Sequence, residues 1–255
     1  MKILIANDDG IRARGIYALA KELSKEHEVV VVAPREERSA SSHSITLFKP
    51  ISIKEEVLEG INCKAYSISG TPADCVRVGI DKLAKDIDIV ISGINRGVNL
   101  GTDVIYSGTV SAAMEAAIYD LPSIAISQEV DWNRNDEDYT VAAKYASSIL
   151  KTAEKNYLKP NVVLNVNVPN KSKGEIKGIK VCPIGKSTYT HEYIKIEGEE
   201  NPETYKISGI RNEREETLDD IGYVEKGYIT LTPLHYDLTI FKLLEEAEEI
   251  FEQQK

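Results

Sequence analysis

Short apolar runs alternate with stretches of helical periodicity from the start of the chain to about residue 170. The runs carry apolar residues on both faces, and the stretches between them repeat apolar residues at helical spacing. This alternation is typical of an α/β fold in which helices cover both faces of a parallel sheet. The predicted strands are 2–6, 29–33, 87–91, 123–127 and 162–168.

The pattern changes after Pro169. Residues 179–196 and 204–210 alternate apolar and polar side chains with Gly and Asn between them, which predicts β-hairpins. A last strand is expected at 228–231, followed by a helix. The apolar face of that helix would be Ile240, Leu243, Leu244, Ala247, Ile250 and Phe251. We therefore expect residues 1–170 to form the core and residues 171–255 to form an extension of it, not an independent domain.

Composition narrows the functional classes. The formal net charge of -10, without a basic stripe, argues against nucleic acid as a partner. Cys63, Cys75 and Cys182 lie far apart, so neither a disulfide framework nor a zinc cage is indicated. The first apolar run is too short for a signal peptide or a membrane span. These features predict a cytoplasmic protein with no membrane partner.

Polar residues follow several of the predicted strands. Asp8 and Asp9 come after the first strand, Ser39 lies past the second, and Asn95 follows the third. The carboxyl ends of parallel strands meet at one edge of the sheet, where ligands bind. Carboxylate, hydroxyl and amide oxygens suit Mg²⁺, Mn²⁺ or Ca²⁺. The alternative is that Asn-Asp-Asp-Gly is only a turn and a helix cap.

A glycine-rich segment, 92–101, lies after the third strand and could approach a ligand with bare backbone. Ser107, Gly108 and Thr109 then precede a helical stripe, and a helix N-terminus attracts phosphate. An ordinary Ser/Thr cap explains them equally well. The segment lacks the lysine of a Walker motif, which disfavours an ATPase. Arg96, inside the segment, is the arginine that we favour as a phosphate ligand, and no histidine is assigned a role.

These residues resemble the SurE family of 5′/3′-nucleotidases over almost the whole chain. The resemblance lies in five blocks of sequence. They are Ile5–Gly10 with Ala13 and Gly15, Pro34 with Ser39, Gly70–Cys75, Ser92–Gly101 with Tyr106–Val110, and a C-terminal block of Gly227-Tyr228, Thr232–Leu234 and Asp237–Thr239. One departure is Asp219-Asp220, where the family pattern usually has Thr-Asp.

The resemblance implies a Rossmann-like, three-layer core with one divalent cation per subunit, Mg²⁺ or Mn²⁺, held by Asp8, Asp9, Ser39 and Asn95. It also implies hydrolysis of nucleoside 5′-monophosphates and of 3′-monophosphates. The C-terminal hairpin arm and helix would exchange contacts between subunits of a homodimer or homotetramer.

Our mechanistic hypothesis is that the cation activates a water molecule, which Asp8 orients or deprotonates with Asp9 beside it. The phosphoryl oxygens would be bound by Asn95, Arg96, Asn99, Ser107, Gly108 and Thr109. A rival within the same class is attack on phosphorus by Asp8 itself. A rival from another class is a receiver-like, Mg²⁺-binding signalling domain without turnover. A dinucleotide-dependent oxidoreductase is disfavoured, because GxGxxG is missing after the first strand.

Overall fold

The computed structural model describes residues 1–134, 136–186, 189–196, 203–212 and 216–252. Its strands are β1 (Lys2–Ala6), β2 (Glu28–Pro34), β3 (Ile53–Glu56), β4 (Lys64–Ile68), β5 (Ile89–Arg96), β6 (Ser123–Gln128), β7 (Val163–Val168), β8 (Ile179–Val181), β9 (Tyr189–Lys195), β10 (Tyr205–Arg211) and β11 (Ile229–Leu234). Its α-helices are α1 (Arg14–Leu23), α2 (Pro72–Val78), α3 (Gly108–Ile118), α4 (Thr140–Asn156), α5 (Asp220–Glu225) and α6 (Leu244–Phe251). A π-helical turn, Gly79–Leu83, continues α2, and two 3₁₀ turns occur at Gly101–Ile105 and Phe241–Leu243.

The described strands form a nine-stranded sheet in the order β3-β4-β2-β1-β5-β6-β7-β11-β8, and β9 pairs with β10 in a separate hairpin. Strands β4, β2, β1, β5, β6 and β7 are parallel, which confirms the predicted α/β class. Strand β3 runs antiparallel to β4, and β11 runs antiparallel to β7. The sheet is therefore mostly parallel, with reversed strands at its two ends.

Helices cover both faces of the parallel part. Along β1, Ile3 and Ile5 belong to the core cluster that also contains residues of α1 and α4, whereas Leu4 and Ala6 belong to the cluster with α2 and α3. Successive side chains of a strand point to opposite faces, so an all-apolar strand serves two cores at once. Each large side chain buried there contributes about 1.5–3 kcal/mol.

Strand β5 departs from the sequence-based prediction. We expected a strand at 87–91 that stops before Gly93, but β5 runs from Ile89 through Gly93 to Arg96. Gly93 has φ +134°, and a Cβ there would lie 2.3 Å from the Ile126 carbonyl oxygen. The pairing with β6 is irregular between Ser92 and Asn95. The glycine thus allows a sharp local distortion within the strand, and the strand carries Asn95 to the sheet edge.

The prediction from the sequence did not include β3, β4 or α5. They are short, and β3 and β4 follow a long polar segment with little periodicity. Beyond residue 170, β8 and β11 hydrogen-bond into the large sheet, while β9 and β10 form the expected hairpin. The division of the chain at residue 170 stays a prediction. None of the described helices has the length and apolar character needed to cross a membrane.

Candidate active site

A tight turn places Asp8 and Asp9 directly after β1. The side chain of Asn7 closes this turn, since its Nδ2 donates to the Gly10 carbonyl at 3.0 Å and its Oδ1 accepts from the Gly10 N–H at 3.2 Å. Gly10 has φ +96°, a conformation that glycine adopts without strain. The turn interpretation therefore applies to Asn7 and Gly10, and it leaves the two carboxylates at the sheet edge.

Asp8 lies against the first residues of α3. Its Oδ1 accepts a hydrogen bond from the Thr109 hydroxyl, and a Cβ on Gly108 would come within 2.7 Å of the Asp8 Cβ. Burial raises the pKa of Asp8, and hydrogen bonds from Thr109 oppose that rise. Only a glycine at position 108 lets the helix approach so closely, so this contact fixes where the carboxylate can lie.

Asp9 is held from the other side of the turn. Its Oδ2 accepts the backbone N–H of Arg96 at 2.9 Å. Burial, and next the charge of Asp8, raise the pKa of Asp9 to about 7. Among the ion pairs of the described residues, none includes either aspartate. Two adjacent carboxylates disfavour each other's charged form, and a divalent cation between them would relieve that cost.

Ser39 and Asn95 line the same cleft as Asp8. The backbone N–H of Arg38 donates to the Asp8 carbonyl at 2.8 Å, which brings the segment after β2 to this turn. Ser39 is exposed, and its hydroxyl donates to Glu37 Oε1 at 2.6 Å. The Asn95 Nδ2 donates to the Gly97 carbonyl at 2.8 Å, so Oδ1 is the atom left to accept a ligand. The donor set of two carboxylates, a hydroxyl and an amide oxygen fits a hard cation.

Asn99 anchors the glycine-rich loop to the neighbouring strands. Its N–H donates to Asn167 Oδ1 at 2.7 Å, and its carbonyl accepts from Asn165 and Asn167 at 3.0 and 3.1 Å. Its Nδ2 donates to Ser127 Oγ at 2.7 Å. Asn165 and Asn167 were missed by sequence reasoning. The signal was present, because they occupy one face of an otherwise apolar strand, where a polar side chain needs a partner.

Asp220 supports the same loop from the C-terminal part of the chain. This fully buried carboxylate accepts the N–H of Gly101 at 2.7 Å, of Gly185 at 2.7 Å and of Ile221 at 2.9 Å. Burial raises the pKa of Asp220, while these backbone donors oppose the rise. Asp219 caps α5 by accepting the Gly222 N–H at 3.0 Å. The family pattern usually has Thr where this chain has Asp219, and both residue types are good helix N-caps.

Ser107 caps α3, with its Oγ accepting the Val110 N–H at 3.0 Å, and it also lines the cleft. The cap interpretation is therefore correct, and it does not remove Ser107 from the site. The guanidinium of Arg96 donates to Glu137 Oε1 at 2.8 Å and lies 4.7 Å from the ring centre of Trp132. The predicted phosphate ligands thus converge on one edge, but the side chains of Arg96 and Thr109 already have protein partners.

The cleft has a volume of about 570 Å³. Its lining includes Asp8, Ser39, Asn95, Arg96, Asn99 and Ser107 from the sequence-based set, and also Asp103, Tyr106, Glu129, Val130 and Trp132, which that set lacked. Among the residues that the structure describes, no group of three or more His, Cys, Asp or Glu side chains is arranged to hold a metal ion. The predicted ligand set differs from such a group, because two carboxylates are completed by Ser and Asn oxygens.

Comparison with known proteins gave matches along nearly the whole chain. The family model described as "Survival protein SurE" matches residues 3–191. A protein of Clostridium botulinum (strain Eklund 17B / Type B), named "5'-nucleotidase SurE", is 60% identical over 252 residues, covering 99% of this chain and 100% of its own length. A protein of the same name from Clostridium beijerinckii is 56% identical over 253 residues, with the same coverage of both chains.

A solved structure has the same fold. The crystal structure of the SurE protein from Aquifex aeolicus superposes with a TM-score of 0.83 at 37% sequence identity. The match covers 98% of this chain and 99% of the other. The agreement thus extends past the family model, into the C-terminal extension.

Proposed function

The chain belongs to the SurE family, and we infer that it is a 5′-nucleotidase, a phosphomonoesterase that releases phosphate from nucleoside 5′-monophosphates. Relatives 60% and 56% identical over nearly the full length carry that name. The observation that carries the proposal is that Asp8 lies in the cleft against the N-terminus of α3, with Asp9 next to it in the chain. The receiver-like alternative is not supported, because relatives that match nearly the full length are named as nucleotidases.

Metal dependence is consistent with this family and with the chemistry of the site. Asp8, Asp9, Ser39 and Asn95 would hold one divalent cation per subunit, and Mg²⁺ or Mn²⁺ fits these oxygen donors. Bound there, the cation would neutralise phosphoryl oxygens and lower the pKa of a water molecule. We propose both that the cation is Mg²⁺ or Mn²⁺ and that the protein also hydrolyses 3′-monophosphates.

Asp8 is the residue that we assign to the attacking water, which it orients and from which it accepts a proton. The Thr109 hydroxyl and the contact with Gly108 fix its carboxylate, so little reorganisation is needed during the reaction. Asp9, held by the Arg96 N–H, stands beside it. Attack on phosphorus by Asp8 itself is the competing scheme. Label that appeared in the Asp8 carboxylate after a single turnover in ¹⁸O-labelled water would reject direct attack by water.

The N-terminus of α3 and the loop anchored by Asn99 would bind the phosphoryl oxygens. Ser107 lines the cleft, and Gly108 and Thr109 begin the helix, where backbone N–H groups and the helix dipole favour an anion. Asn95 and Asn99 would contribute from the loop. The side-chain roles predicted for Arg96 and Thr109 stay predictions, since their donors are engaged with Glu137 and Asp8.

Phosphate release from a panel of nucleoside 5′- and 3′-monophosphates tests the function. We expect turnover by the wild type, loss with a chelator, and recovery with Mg²⁺ or Mn²⁺. Asp8→Asn should lower kcat by at least about 10³-fold, more than the loss of one transition-state donor. The midpoint of thermal unfolding of this variant should not fall, because the substitution removes a buried charge. No turnover of any phosphate ester by the wild type would overturn the proposal.

A homodimer or homotetramer built through the C-terminal extension is part of the proposal. Leu243, Leu244 and Phe251 are 50, 44 and 70% exposed, and α6 buries none of its residues within the single chain. Exposed apolar faces of this kind mark surfaces for association.

A reducing compartment such as the cytoplasm is likewise proposed, and the three free cysteines support it.

A further inference from the structure

One aromatic side chain in the active-site cleft has no role in phosphate chemistry. Trp132 lines the cleft together with Asp8, Asn95 and Ser107, yet its side chain is 67% exposed. It belongs to a short segment between β6 and α4 that none of the family-like blocks includes. An aromatic side chain in the wall of a cleft offers a flat apolar surface on which part of a ligand can stack.

Arg96 holds the indole in place. Its guanidinium lies over the ring at 4.7 Å from the centroid, the geometry of a cation–π contact. The guanidinium is fixed in turn by Glu137 Oε1, at 3.0 Å from Nε and 2.8 Å from Nη2, and by the Arg134 carbonyl at 2.8 Å. The indole is therefore supported on one face by a group that is itself held by three hydrogen bonds.

The same arginine connects the indole to the reaction centre. The Arg96 backbone N–H donates to Asp9 Oδ2 at 2.9 Å, while the Arg96 side chain supports Trp132. Next to it, a Cβ on Gly97 would come within 3.0 Å of the Trp132 Cζ2. Arg96 thus connects the indole to Asp9, and Trp132 and Asp8 line the same cleft.

We propose that Trp132 is a stacking platform for the nucleobase of the substrate, with the base on the indole face opposite Arg96. The proposal rests on the nucleotidase function and adds the residue that distinguishes nucleotides from other phosphate monoesters. Every base has a π face, so stacking selects nucleosides with little selection among bases. A cleft of about 570 Å³ lies in the range of small-ligand pockets.

The protein supplies its own probe, because Trp132 is the single tryptophan of the chain. Adenosine carries the base but no phosphate, so it is not consumed. We expect saturable quenching of tryptophan fluorescence by adenosine, with excitation where adenosine does not absorb, and none by ribose or ribose 5-phosphate. Fluorescence that does not respond to adenosine at any concentration would overturn the proposal.

Steady-state kinetics give an independent readout. Trp132→Ala should raise KM for adenosine 5′-monophosphate about 10-fold with kcat nearly unchanged, since stacking on one base is worth about this much. For ribose 5-phosphate, kcat/KM should stay as in the wild type. Trp132→Phe should keep most of the affinity for the nucleotide, and Phe48→Ala, which removes a 97% exposed aromatic side chain outside the cleft, should change nothing.

The outcomes separate this proposal from the function on which it rests. If Trp132→Ala lowered kcat/KM equally for both esters, Trp132 would have only a structural role. That result would overturn the stacking platform and leave the nucleotidase function intact. A wild type that hydrolyses neither ester would overturn the nucleotidase function. In that case the adenosine titration still decides the stacking by itself.

Discussion

Buried polar side chains organise the sheet edge, whereas exposed apolar side chains cover the last helix. At the edge, Asn99 and Asp220 are 7 and 0% exposed and bind several partners each. In α6, Leu244 and Phe251 are 44 and 70% exposed. Asn99 and Asp220 find their hydrogen-bond partners within one chain, and such fixed positions preorganise a catalytic site. The apolar surface of α6 is exposed in the single chain and would be covered by association with another subunit.

Among the changes that test this comparison, the largest effect is expected when one methyl group is added at the edge. In Gly108→Ala, the new Cβ would lie 2.7 Å from the Asp8 Cβ and 2.8 Å from Oδ2, so the carboxylate must move. We expect kcat for a nucleoside 5′-monophosphate to fall about 10²-fold, the cost of a misplacement on the order of 1 Å. Gly174→Ala is the matched control, because a Cβ there meets nothing within 4 Å. Equal activity of the two variants would refute this account of the Asp8 contact.

The second prediction tests the anchor between the edge and the C-terminal part. Asp220→Asn replaces one carboxylate oxygen with an amide that donates, so at least one of the N–H groups of Gly101, Gly185 and Ile221 loses its acceptor. Chemical denaturation should show a loss of about 1–3 kcal/mol in the free energy of unfolding. The neighbouring change Asp219→Thr keeps an N-cap acceptor and should cost much less. If both variants unfold alike, the hydrogen bonds to Asp220 do not support the loop.

The smallest effect on the single chain is expected in α6 and the 3₁₀ turn that precedes it. The double change Leu243→Ser and Phe251→Ser removes apolar groups that are 50 and 70% exposed. Within a monomer, the free energy of unfolding should change by less than about 0.5 kcal/mol for each substitution. Molecular mass measured by light scattering should instead fall towards that of the monomer. An unchanged mass would place the association surface elsewhere.

Much of the fold could be predicted, because the strands of the parallel core are apolar on both faces. Strands β1, β2, β6 and β7 lie within two residues of their predicted bounds. Strands β3 and β4 could not be predicted in the same way, since their stability comes from pairing with each other and with β2. The distortion at Gly93 depends on the close approach of the Ile126 carbonyl, a contact between residues distant in sequence.

The sequence by itself determined that polar residues following the strands gather at one edge of the sheet, but not all the residues that line the cleft. Parallel strands end at one edge, and Asp8, Ser39 and Asn95 line one cleft there, as the strand pattern predicted. The tertiary structure alone decided which of these polar groups already have protein partners. The Thr109 hydroxyl donates to Asp8, and the Arg96 guanidinium contacts Glu137 and Trp132. The Asp220 carboxylate accepts from the loop. The periodicity of a chain specifies the faces of its strands and helices, but hydrogen-bond partners between distant segments depend on distances that only packing sets.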